Sequence, residues 1–117
     1  MADHTTSRDC QDPDAVVRQR AAGTLEYISV KEIGARDLTQ HGGVTLLLTL
    51  LEDSVGVVRD AAYAALIEAA RFNGVRFAIV QSGTALPRLM QLALHEEHER
   101  SLQGLILLNA CVHVSPI

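Results

Sequence analysis

The chain has 117 residues, of which 48% are hydrophobic and 3% aromatic, and it has no tryptophan. That length allows one domain, and that composition excludes a core built on large rings, leaving Leu, Val, Ile and Ala to pack helix on helix. The formal charge is −4, with Lys31 the single lysine; without clustered cations to neutralise phosphate, neither nucleic acid nor an anionic membrane is expected as a ligand.

Residues 1–11 are polar, lack the apolar stretch of a secretory signal, and read as a disordered or partner-bound arm. Cys10 and Cys111 stand near opposite ends, a spacing that suggests neither a disulfide framework nor a metal pair; a reducing compartment is expected. The first helix is predicted over about 13–29, with Asp12 and Pro13 at its start. Its buried stripe is Val17, Ala21, Leu25 and Ile28. A second helix follows over 33–41 and closes at Gly42, and a third runs over 43–52. Asp53 and Ser54 are then N-cap candidates for a long helix ending near 71, with the stripe Val58, Ala62, Ala65, Leu66 and Ala69. The series continues with a helix over 75–82 closed by Gly83, one over 84–94 with Pro87 in its first turn, and a last one reaching about 114. The longest apolar run, 44–51, is far too short to span a bilayer.

These elements repeat. Val16, Val17, Arg18 and Ala21 recur 41 positions later as Val57, Val58, Arg59 and Ala62. The same offset carries Asp12 to Asp53, Leu25 to Leu66 and Gly42 to Gly83; after one insertion, Leu47 and Leu50 match Leu89 and Leu92. A period near 41 lies in the range of armadillo and HEAT repeats. Residues 12–117 then form one repeat domain: a lone third-type helix over 12–30, a full unit over 31–71 and another over 72–117.

On these residues the chain resembles the armadillo-repeat family. Gly42, Leu47, Leu50 and Leu51 fit its second-helix pattern, and Val58, Arg59, Ala62, Ala65 and Leu66 fit its third. The resemblance implies an all-α, right-handed solenoid of about two and a third repeats. Two further stretches, Ile79 to Leu89 and Leu107 to Val112, together with Leu25 to Ile28 and Gly34 to Asp37, resemble the armadillo proteins of the radial spoke in motile cilia. That resemblance implies a non-enzymatic structural subunit with protein partners, no cofactor, and a place in the cytoplasm or, within the cytoskeleton, the axoneme of a cilium or flagellum. A cytosolic armadillo adaptor gripping an extended peptide is the alternative.

In armadillo proteins the third helices line a concave groove. The Trp and Asn ladder of importin-type relatives is missing, since Gly23 and Tyr27, then Ala64 and Glu68, occupy the matching positions. The groove residues expected to meet a partner are Arg20, Tyr27, Tyr63, Glu68, Arg71 and Asn109. Arg18 and Arg59 are expected to bond carbonyls or acids of the neighbouring unit, with direct partner contact as the other reading. His95-Glu96-Glu97-His98-Glu99-Arg100 echoes a zinc motif, but its histidines are three apart where the i, i+4 spacing is needed. It reads as a solvated turn, against a metal or pH-sensitive site. Cys111 reads as a buried thiol rather than a nucleophile. Solenoid ends expose apolar faces, so self-association or burial in a larger complex is expected.

Overall fold

The computed structural model describes residues 8–95 and 98–114, the side chains of 95 and 98–101 apart. Its helices are α1 Ala15–Ile28, α2 Glu32–Gln40, α3 Gly43–Leu50, α4 Gly56–Ala69, α5 Asn73–Gln81, α6 Ala85–His95 and α7 His98–Cys111. There is no strand among the described residues.

The helix starts differ from expectation in an instructive way. Asp14, not Asp12, caps α1, its carboxylate accepting the Val16 amide at 2.9 Å. Asp12 sits one turn earlier and accepts the Asp14 amide at 2.8 Å. Similarly, Asp53 and Ser54 do not cap α4. Val55 is the N-cap, without a side-chain bond, while Asp53 accepts the Val55 amide at 2.9 Å. Both aspartates therefore shape the turn ahead of a helix instead of starting it. The helix stops are as predicted: Gly42 (φ 78°) and Gly83 (φ 75°) follow α2 and α5 in left-handed conformations that a Cβ would strain.

The long helices pack in file, α1 on α4 and α4 on α7, while α2 packs on α5. Helix α3 rests on α4, and α6 on α7. The result is a slab of 34 × 33 × 22 Å. Its core follows the sequence period. Leu25 and Leu66, Leu38 and Ile79, and Leu47 and Leu89 are equivalent pairs, and all six are buried. Burying each such side chain contributes about 1.5–3 kcal/mol relative to exposure. Gly104 lets α7 close: a Cβ there would meet the Ala93 Cβ at 3.1 Å and the Tyr63 hydroxyl oxygen at 3.7 Å.

One expectation is corrected at the N-terminal end. Cys10, assigned to the polar arm, is only 3% exposed and joins the core. It stands 41 positions before Leu51, another buried residue, and so fills the corresponding slot. Residues 8 and 9 are helical. Residues 1–7 of the expected arm lie outside the described residues.

Candidate protein-binding surfaces

Four of the six groove candidates are surface residues: Arg20, Tyr27, Arg71 and Asn109 are exposed, Tyr27 by 82%. Glu68 and Arg71 are brought together on α4 and the turn after it, at 2.6 Å. The Arg71 guanidinium also lies 5.7 Å from the centre of the Phe72 ring. Tyr63 is a correction. It is fully buried, with its hydroxyl close to Gly104, so it is a core residue that a partner does not reach. The repeat carried the signal for this. Tyr63 stands 41 positions after Ala22, and both are buried because a neighbouring long helix covers that position.

The charged seam between α1 and the turn ahead of α4 was legible in part. Arg18 on α1 reaches across to Asp53 ahead of α4, with Nε 2.8 Å from Oδ2 and Nη2 3.1 Å from Oδ1. Its remaining nitrogen donates to the Asp12 carbonyl at 2.8 Å and the Pro13 carbonyl at 3.0 Å. A planar fork facing a carboxylate holds both position and orientation. The Arg18 bond, aided by the Val55 amide, holds the Asp53 carboxyl below its ordinary range despite partial burial. Arg59 repeats the local half of this pattern, donating to the Asp53 carbonyl at 2.6 Å.

Two concavities were not foreseen. A groove of about 740 Å³ runs between α3 and α6, lined by Leu48, Thr45, Thr84, Pro87 and Leu92 among others. Arg88 bridges it to Glu52, with Nε 2.8 Å from Oε1, and also bonds Gln91 at 2.8 Å. That bridge pulls the Glu52 carboxyl down from its usual value. A smaller cleft, about 390 Å³, lies where α1 turns into α2 and is lined by Tyr27, Val30, Lys31, Ile33 and Asp37 among others. The clue for it was the unpaired apolar character of Val30 and Ile33, which are exposed beside Tyr27.

Neither described cysteine is poised as a nucleophile. Burial pushes the Cys10 thiol up to about 11, with Asp9 adding to the effect. Burial likewise raises Cys111, against a smaller opposing influence of Arg76. Thiols held protonated are poor nucleophiles. The His95–Arg100 cluster lies outside the residues whose side chains are described. Among the described residues no three metal-binding side chains gather, and no helix is long and apolar enough to cross a membrane.

No protein-family model matches the chain. Among curated proteins, radial spoke protein 14 of Chlamydomonas reinhardtii is 52% identical over 104 residues, an alignment covering 84% of this chain and 27% of that protein. The chain thus spans about a quarter of the length of the curated relative it matches. Among solved structures, the crystal structure of an engineered protein aligns with a TM-score of 0.81 at 22% identity, covering 91% of this chain and 43% of the other. The chain is therefore similar in sequence to one segment of a radial-spoke protein, and in fold to part of an engineered one.

Proposed function

We propose that the chain is a non-enzymatic scaffold module, a right-handed stack of armadillo-type units that serves as structural material of a ciliary or flagellar radial spoke. The observation that carries this reading is the 52% identity, sustained over 104 residues, to radial spoke protein 14. The file of long helices α1, α4 and α7, with period-matched core residues, supports the stacked-unit part. The mechanism is geometric. Each unit buries a face on the next, and the resulting rigid body presents fixed side chains to protein partners. Arg20, Tyr27, Glu68, Arg71 and Asn109 are the proposed contact residues on the long helices and the turn after α4. Self-association through the ends belongs to the same proposal.

The reading is tested by a segment exchange. The aligned stretch of the Chlamydomonas relative is replaced by this chain, and the hybrid is expressed in cells lacking the relative. Incorporation into isolated axonemes is expected; a hybrid that folds but stays in the soluble fraction would contradict the proposal. One observation favours a second reading, a peptide-binding adaptor: Tyr27 is exposed beside a small cleft holding both Lys31 and Asp37. That reading predicts peptide affinity lost on Tyr27→Ala without any axonemal location.

A further inference from the structure

The acceptor half of the Arg18–Asp53 seam occurs twice in this chain. Asp12 stands 41 positions before Asp53. Each carboxylate accepts the amide two residues on, from Asp14 at 2.8 Å and from Val55 at 2.9 Å. Each main-chain carbonyl accepts the guanidinium six residues on, from Arg18 at 2.8 Å and from Arg59 at 2.6 Å. The difference is what comes from the preceding unit. Asp53 receives the two-pronged bond of Arg18; among the described residues, the Asp12 carboxylate is hydrogen-bonded by the Asp14 amide alone.

The helix behind this turn shows a matching difference in cover. On α4, which has α1 in front of it, Val58, Ala65 and Ala69 are fully buried. Their counterparts on α1 are less covered: Val17 and Ile28 are half-buried, and Thr24 is exposed. Among the described residues, α4 has a long helix packed in front of it and α1 does not.

We infer that Asp12 is the acceptor half of an inter-unit arginine clamp, and that the exposed face of α1 docks a helical unit of the same build carrying an arginine in the Arg18 register. The occupant is not a second copy of this chain, whose own association through this face is weak because it lacks that arginine. The register runs Arg18, Arg59, Ser101, so the last helix has no guanidinium at that position, Arg100 standing one residue out of register. The partner is a unit that keeps the Val-Arg pair. Its guanidinium closes on Asp12 as Arg18 closes on Asp53, and its small core residues lie along Val17, Thr24 and Ile28. Asp12 takes this role only within the stacked-unit reading proposed above. Purified protein reports on the clamp whether or not the chain enters an axoneme.

The test turns a second copy into the missing partner. Sedimentation velocity is run on the 117-residue chain and on its Ser101→Arg variant. Ser101→Arg is expected to tighten head-to-tail association at least tenfold, with the gain falling as salt is raised. Adding Asp12→Asn should erase the gain. Should Ser101→Arg lose helical circular dichroism, Ser101→Lys takes its place, with a smaller gain because an ammonium cannot make the forked bond. No gain from either variant, or a gain that survives Asp12→Asn, overturns the inference.

Discussion

Two glycine-to-alanine changes of identical chemistry should shift stability in opposite directions. At Gly34 in α2, a new Cβ would stand 1.8 Å from the Ile28 carbonyl oxygen, the last residue of α1. Carbon and oxygen rest at about 3.3 Å or more, so the α1–α2 corner would open by roughly 1.5 Å. The obstacle is backbone, which cannot swing aside as a side chain does. Overpacking of this kind costs about 1–3 kcal/mol, and the upper end applies here. The helix preference for alanine returns about 1 kcal/mol, leaving a net loss of about 2 kcal/mol. At Gly23, exposed on α1, a Cβ meets nothing within 4 Å, so only the helix preference acts and stability should rise by about 0.5–1 kcal/mol. With roughly 4 °C per kcal/mol for a domain of this size, Gly34→Ala should lower Tm by about 8 °C and Gly23→Ala should raise it by about 2–4 °C. Thermal and urea unfolding followed by far-ultraviolet circular dichroism reads both. A Gly34→Ala protein as stable as Gly23→Ala would refute the close corner.

Tyr63→Ala should cost about 3–5 kcal/mol as a core truncation, whereas Tyr27→Ala should stay within about 0.5 kcal/mol; urea midpoints distinguish them, and equal costs would contradict the opposite burial of the two rings. Because Arg18 lowers the Asp53 carboxyl, its contribution is complete above the unfolded-state value of about 3.9 and is lost as pH falls through the lowered folded value. Asp53→Asn should therefore be less stable than the parent at pH 7 and lose less on acidification from pH 5 to pH 2, as measured by urea midpoints across that range. Cys10 and Cys111, both buried with raised thiols, should react slowly with a maleimide in the native protein at pH 7.5 and rapidly in urea. Fast labelling at native conditions would contradict the packing of Cys10 into the core.

Much of the fold was legible because its determinants are local and periodic. Gly42 and Gly83 mark helix stops by a conformation that few other residues accept, and the leucine stripe repeats in register. Arg18 was recognisable as a staple because an acid recurs one period on. What escaped were features set by position in the assembled slab. Tyr63 looks amphipathic as a residue type, yet α7 covers it, since Gly104 lets the helices approach. Cys10 sits in a polar stretch, yet takes the slot that Leu51 fills one unit later. Asp12 and Asp53 have the composition of helix caps, but their carboxylates serve the preceding turn and, for Asp53, Arg18 of α1. The groove between α3 and α6 depends on how those two helices splay, which no local pattern encodes.

The most direct measurement is cryo-electron tomography of axonemes from cells carrying this chain fused to a density tag. Membership of a radial spoke predicts extra density that repeats with the spokes along the doublet microtubules and that a Tyr63→Ala protein fails to produce. A folded, expressed chain that leaves no density on the spokes, or that places it elsewhere in the axoneme, would contradict the account.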